Sequence, residues 1–586
     1  MRGLVPSTSG GIGAALHSGS RRSLPRWIRP IFRALVTCCV AVATCRPTRA
    51  GEAPRDYLAA KPQDMRWWRE ARFGVFICWG PVTLTGKEIG WSRGGERRGR
   101  KGRGPTPVEV YDNLYKRWNP TAFNAREWIE VVKASGAKYV IFLTKHHDGF
   151  CLFDSQLTDY KIASPLSPFR RDVTAEIAEA CHEAGIRIFW YYSQPDWHHP
   201  DYRTARHDRY VRYLHGQIRE LLTRYGRIDG LWFDGLGGRA EDWDAPALFK
   251  LARSLQPHIL INNRCGLPGD FDTPEQRVGR FNNRRPWESC ITLGTQWAWK
   301  PNDSIKSLAQ CISLLVRCAG GDGNLALNIA PMPDGRIEPR QARRLREIGD
   351  WLRRYGESIY GTRGGPFLPT TAFASTFRGN TVYLHLLDPG REVLRLSPLD
   401  KRIVASEMLT GGSCEVTQTP DYIEVRVPKA HRRSPDTIVV LTLDGPAAEA
   451  ETGRLRSGSL AAGKKARASN FFRNNPTYAP EKAFDDDFAT RWGCDWGTKS
   501  AWLEVDLGKP AAIGRALLSE PYGRVRQFAL EYWDGQQWRA FARGTTVGPR
   551  RVLTFPPITA RRVRLNIIRC TDGPSIWEFQ LFPPSK

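Results

Sequence analysis

The residue best placed to do chemistry is Asp234. It closes an apolar run, Tyr225 to Gly235 (YGRIDGLWFDG), in which Ile228, Leu231, Trp232 and Phe233 read as a short buried strand. Aspartate is disfavoured inside strands, so this carboxylate belongs at the strand's C-terminal end. There it either caps the following helix or, in a βα barrel, stands at the mouth where reactions are carried out. Glycoside cleavage would require a second carboxylate, about 5–5.5 Å away in the double-displacement route, acting as general acid and then base. Two glutamates compete for that role. Glu275, in FDTPEQ (271–276), lies one βα step beyond Asp234 in a loop rich in Gly, Pro and Asp that can fold over the mouth, and it is preferred. Glu288, in RPWESC (285–290), follows Trp287 near the next apolar run.

Other apolar runs end in equally loaded positions: His146, His147 and Asp148 after one, Tyr191, Tyr192 and Trp197 after the next, Arg264 after another. A lone histidine is usually a satisfied core residue. Two adjacent ones followed by Asp-Gly cannot both face one core, so at least one points to the mouth. A metal site is the rival reading of the pair, but no third ligand follows at metal-site spacing. Aromatic faces stack on sugar rings, while hydroxyls need fixed donors and acceptors, so this mixture suits a sugar better than a phosphate. The high count of 21 Trp agrees.

The elements that must position these residues alternate from about Asp64 to Tyr360. Apolar runs at 73–80, 138–150, 187–197, 230–235 and 258–264 are separated by amphipathic helical stretches such as Ala125 to Ser135, Val173 to Ala184 and Tyr210 to Tyr225. Over the length of one barrel, this predicts an α/β fold of the (β/α)8 type across residues 51–360. No glycine-rich dinucleotide or phosphate fingerprint follows the first strand. Residues 361–445 carry short alternating runs and predict a small β-sandwich. Residues 446–466 have linker composition. Residues 467–586 are again strand-rich and predict a third domain.

At 586 residues and 41% hydrophobic content the chain has enough for several cores. The formal charge is +27, yet residues 1–50 hold eight Arg and no acid, leaving +19 spread over the rest without a basic stripe. A nucleic-acid partner is therefore not expected. Those fifty residues read as an export signal: a basic stretch (Arg21 to Arg33), an apolar run Ala34 to Cys45 too short to span a bilayer, then small residues. A secreted or periplasmic protein without a transmembrane anchor is expected. Thirteen Cys show no zinc-like spacing, and in an exported protein Cys494 and Cys570 are candidates to pair.

Taken together, FGVFICWG, GKEIGWSR (86–93), YVIFLTKHHDGFCLFDS (139–155), DVTAEIAEACHEAGI (172–186), YYSQPDWHHPDY (191–202), LWFDG and GNLALNIAPMPDG (323–335) resemble the α-L-fucosidases of glycoside hydrolase family 29. The resemblance implies a retaining exo-fucosidase acting on fucosylated glycans without a cofactor. It implies Asp234 as nucleophile, and His146 and His147 as grips on fucose hydroxyls. Tyr192, Arg264 and Trp297, with Trp299 as alternate, would complete the pocket, beside Trp197 as the strand-end aromatic already read from the residues. Relatives differ in the acid/base position, which leaves both Glu275 and Glu288 in contention. The family commonly has a histidine where Cys78 stands here. A thiol is a weak hydrogen-bond donor, so Glu88 and Trp91 are expected to compensate. Another glycosidase specificity, such as galactoside, and a non-catalytic carbohydrate-binding protein are the alternatives. The insertion RGGERRGRKGRG (93–104) has six basic residues against one acid. It is either a solvated loop or a contact for a sulfated or otherwise acidic glycan. The C-terminal residues ASNFF (468–472), KAFDDDFATRWGCD (482–495), WLEVDLG (502–508) and SIWEFQLF (575–582) resemble discoidin (coagulation factor 5/8 type C) modules. In some relatives the AFDDDFATRW loop holds a structural calcium, which makes Asp485 and Asp487 candidate ligands.

Overall fold

The apolar runs fold as strands of one parallel sheet, and a parallel sheet covered on both faces demands near-continuous hydrophobic segments. In the computed structural model, which describes residues 56–452, 459–486, 490–548 and 551–584, seven strands are buried along almost their whole length. They are β1 (Phe73–Ile77), β2 (Tyr139–Lys145), β3 (Arg187–Tyr192), β4 (Gly230–Phe233), β5 (Leu260–Ile261), β6 (Glu288–Thr292) and β7 (Asn324–Ile329). Their order is β5-β4-β3-β2-β1-β7-β6, with every neighbouring pair parallel. The sheet curls as a barrel does, but the expected eight regular strands are seven. Between β5 and β6 the chain makes only single parallel bridges, Phe271 to Asn262, Asp272 to Trp287 and Glu275 to Cys290. Residues 262–287, broken by Gly and Pro, offer neither a period-2 run nor a helical repeat, so an irregular stave fills the gap.

Helices α1 (Pro62–Ala71), α2 (Ala125–Ala134), α3 (Val173–Ala184), α4 (His207–Thr223), α5 (Ala245–Leu255), α6 (Leu308–Gly320) and α7 (Pro339–Tyr355) accompany the strands. Their starts are legible in the sequence. Asn124 accepts from the amides of Arg126 and Glu127, Asp172 from Ala175, and Ser307 forms a capping box with Gln310. At the start of β4 the Phe189 ring of β3 occupies the space of a missing side chain. A Cβ on Gly230 would stand 2.0 Å from the Phe189 ring, which explains the glycine that opens β4.

Residues 363–443 form a five-stranded and a three-stranded antiparallel sheet. Alternation along the larger sheet decides its two contacts: Ala374, Tyr383, Ile438 and Val440 join the barrel's hydrophobic cluster, while Val382, Leu384, Val439 and Leu441 join the sandwich core. Residues 465–582 form a six-stranded antiparallel sheet and a two-stranded one, with their own core around Trp492, Leu503, Phe528 and Leu565. Cys494 and Cys570 are both free thiols there. They approach different carbonyls, Asn470 and Thr498, so the candidate pairing is not formed. Asp485 hydrogen-bonds Lys482 and Thr490. The expected signal over residues 1–50 and the candidate ligand Asp487 lie outside the described residues. Among the described residues no helix is long and apolar enough to cross a membrane, and no group of three or more His, Cys, Asp or Glu could hold a metal.

Candidate active site

At the C-terminal ends of the strands a cavity of ≈ 460 Å³, counted out to its solvent opening, is lined by residues from every part of the barrel. Phe76 and Cys78 come from β1 and its end, His146 and His147 follow β2, and Tyr191 belongs to β3. Trp232, Asp234 and Leu236 come from β4 and beyond, Arg264 follows β5, Glu275 lies on the irregular stave, and Cys290 belongs to β6. Trp91 and Trp297 come from loops. Trp232 and Asp234 are two residues apart and therefore share a face of the chain. Asp234 caps no helix. Its Oδ1 accepts from Arg264 Nη1 at 3.1 Å and its Oδ2 from the Tyr191 hydroxyl at 3.0 Å.

Arg264 organises the acidic side of the cavity. Its Nη2 is 2.9 Å from Glu275 Oε2, so one guanidinium touches both carboxylates. Thr273 holds it from behind through Oγ1 on Nε at 2.8 Å and its carbonyl on Nη2 at 2.9 Å, and Trp232 lies 4.6 Å beneath it. Burial alone would lower the guanidinium's pKa. Asp234 and Glu275 outweigh that and raise it above the ordinary arginine value. The bidentate fork fits arginine and would not fit lysine.

The histidines are held neutral. Burial pushes both well below the usual imidazole value, reinforced at His147 by Lys145, Arg100 and Arg264. Ser193 Oγ donates its only hydrogen to the Pro195 carbonyl at 2.6 Å and lies 2.5 Å from His147 Nδ1. The other ring nitrogen of His147, Nε2, is 3.5 Å from Asp234 Oδ2. His146 stacks on Tyr191 at 12° and packs against Gly90, whose φ of 62° brings the backbone close. The turn after the pair is structural. Asp148 accepts from the Tyr111 hydroxyl at 2.5 Å and from the Phe150 amide, and burial raises it to about 6. A buried ion pair, Lys145 to Asp196 at 3.0 Å, anchors the loop carrying Trp197.

Not every expected residue reaches the cavity. Glu288 points into the barrel at the opposite end of β6, fully buried. It accepts from Trp232 Nε1 at 3.0 Å and from the Tyr139 hydroxyl, and burial raises it to about 7. It faces a packed layer of the barrel rather than the mouth. The Tyr192 hydroxyl bonds Gln217 on α4 at 2.8 Å and so turns to the helices; its neighbour Tyr191 lines the cavity. Trp197 is buried behind Trp91 and His147, with centroids 5.3 and 5.2 Å away, and backs the wall without lining it. Glu88 accepts from the amides of Trp297, Ala298 and Ile89, which places the Trp297 loop. Cys78 lines the cavity, and burial, then Cys290, keep its thiol well above its usual value and hence protonated. The sequence marks Tyr191 as a strand-end residue without separating it from Tyr192, and gives no sign that Trp232, Phe76, Leu236 and Cys290 line the cavity. The period-2 alternation that separates them is masked because both faces of these strands are apolar.

A parallel barrel whose strand ends gather carboxylates, neutral histidines and indoles has the parts that glycoside hydrolysis needs. The α-L-fucosidase family model matches residues 41–357, more than half of the chain, and the F5/8 type C domain model matches residues 465–579. The chain belongs to the α-L-fucosidase family. It is 27% identical to human tissue α-L-fucosidase over 65% of this chain and 89% of that protein, and 31% identical to human plasma α-L-fucosidase over 50% and 69%. Among solved structures it is similar to α-L-fucosidase isoenzyme 1 from Paenibacillus thiaminolyticus, with 36% identity, TM-score 0.59, and coverage of 65% of this chain and 99% of that one. It is also similar to the trapped covalent intermediate of an α-L-fucosidase from Bacteroides thetaiotaomicron with 2-fluoro-fucosyl fluoride, with 26% identity, TM-score 0.59, and coverage of 67% and 100%.

Proposed function

We propose that this enzyme is a retaining exo-α-L-fucosidase that removes terminal fucose from glycans, with Asp234 as nucleophile and Glu275 as acid/base. The observation that carries the reading is the shared guanidinium: Arg264 holds both carboxylates at the mouth of one small cavity. Two N–O contacts across one guanidinium keep the pair within reach of a single glycosidic bond. That span alone admits inversion as well as retention. The trapped covalent intermediate of the similar Bacteroides enzyme supports retention.

In this mechanism each Asp234 oxygen keeps one fixed donor and has a lone pair to spare, so the carboxylate can attack the anomeric carbon without first being desolvated. Glu275, half-exposed at the opening, takes up a proton from solvent in exchange for its ion pair with Arg264 and gives it to the departing glycosidic oxygen, leaving a fucosyl ester on Asp234. Glu275 then takes a proton from water, whose oxygen attacks the anomeric carbon and frees Asp234. His147, its ring oriented by Ser193 and its Nε2 facing Asp234, hydrogen-bonds a sugar hydroxyl. Trp91 and Trp297 flank the ring.

Turnover of an aryl α-L-fucoside by wild type, Asp234→Gly and Glu275→Ala tests this. Both variants should lose roughly 10³-fold or more, and azide should restore product formation by Glu275→Ala. An inert wild type, or rescue in Glu288→Ala instead, would overturn the assignment.

A further inference from the structure

The insertion 93–104 is the part of the pocket's surroundings that this chemistry leaves unused. Backbone bonds tie its ends together, Gly94 N to Thr106 O at 2.6 Å and Gly104 N to Arg93 O at 2.8 Å. Arg93 is neutralised by Asp112 through two contacts of 2.6 Å. Arg98 donates to the carbonyls of His199, Pro200 and Tyr202 and lies 3.7 Å from Glu96. With its base pinned this way, the segment brings two of its remaining cations, Arg97 and Arg100, against residues of the cavity wall. Arg97 is buried, 5.4 Å from the rings of both Trp91 and Trp197, and Arg100 donates to the carbonyl of Leu236. Trp91 and Leu236 both line the cavity, and both guanidiniums help to depress His147 inside it. Exposed Lys101 and Arg103 follow directly. Among the described residues none of these four cations has a carboxylate ion-pair partner. The nearby Asp242 faces Arg203 at 3.5 Å.

We propose that the sugar joined to the departing fucose carries an anionic oxygen group, a sulfate ester or a carboxylate, and that Arg100, Lys101 and Arg103 receive it. The proposal rests on the fucosidase reading for the position of the scissile bond. Its physical basis is local: positive charge without internal neutralisation, fixed beside a pocket mouth, attracts anions to that mouth. A loop serving only as solvated cover would not need Arg93 and Arg98 to fix it to Asp112 and to the carbonyls of residues 199–202 beside the site.

The test compares kcat/KM for aryl α-L-fucosides of matched leaving-group acidity whose ring is neutral, carboxylated or sulfonated. In wild type at low salt the anionic substrates should be favoured about 5–10-fold, and the preference should fade at about 0.5 M salt. In Arg100→Gln/Lys101→Gln/Arg103→Gln the ratio should approach one. The double variant Lys101→Gln/Arg103→Gln, which keeps the bond to Leu236, should be intermediate. The carboxylate and sulfonate arms report which anion fits better. A wild-type ratio at or below one, or a ratio unchanged in the triple variant, overturns the proposal. If even the neutral fucoside is not cleaved, the fucosidase reading fails. Calorimetric binding of sulfated against unsulfated fuco-oligosaccharide to wild type then decides the rim: salt-sensitive preference for the sulfated form supports it, and equal or absent binding overturns it.

Discussion

Replacing Glu288 by glutamine separates a buried structural carboxyl from a catalytic one. The side chain is fully buried at the closed end of β6, and burial lifts its pKa from 4.5 to about 7 despite hydrogen bonds from Tyr139 and Trp232. Between those values the folded protein holds a proton that the unfolded chain has lost, so wild-type stability falls as pH rises from 4.5 through 7. The shift corresponds to about 3 kcal/mol above pH 7, where the charge must be carried in the barrel core. Glutamine has the same shape and no charge to bury. The stability of Glu288→Gln relative to wild type should therefore rise with pH, gaining about 3 kcal/mol, or several °C in midpoint, between pH 5 and pH 8. Urea and thermal unfolding of both proteins at the two pH values measure it. Fucoside turnover near pH 6 should fall by less than about threefold, because Glu288 does not line the cavity. Parallel pH–stability curves would refute the burial argument. A turnover loss like that of Glu275→Ala would refute the placement of Glu288 outside the chemistry.

Two further substitutions probe the scaffold. Gly90→Ala would place a Cβ 2.4 Å from His146 Nδ1 at a φ of 62°; KM for the aryl fucoside should rise about tenfold while the unfolding midpoint drops only a few °C, and an unchanged KM would remove His146 from sugar binding. Asp322 pairs with Arg72 at 2.6 Å and also with Arg69 and Arg363, its carboxyl held below its usual value by the arginines against burial. Asp322→Asn keeps the shape but strands the buried Arg72 charge, so unfolding by urea should show a loss of about 3–5 kcal/mol, and a loss under about 1 kcal/mol would contradict the network's role.

Periodicity is enough to place most barrel elements within a few residues. The helix expected from Val173 runs from Val173 to Ala184, and Asn124 and Asp172 mark their helix starts as their residue types suggest. The one topological surprise, seven regular strands and an irregular eighth stave, falls where the chain lacks any period. At the site, residues directly beyond strand ends were legible: Asp234, His146, His147 and Arg264 all reach the cavity.

The sequence by itself determined which residue types stand at which strand ends, because a polar side chain breaking an apolar run has nowhere else to go. It could not determine depth or parity inside the runs. RIFWYY is apolar on both faces, so only the register of β3 against its neighbours turns Tyr191 inward and Tyr192 toward α4. Glu275 and Glu288 are similar glutamates in sequence, each near a proline. Tertiary structure alone sets one beside Arg264 at the open mouth and the other in a closed layer against Tyr139 and Trp232. The same holds for Asp234: its position at a strand end is written in the chain, while the donors that make it a fixed carboxylate come from β3 and from beyond β5, and only barrel closure brings them to it.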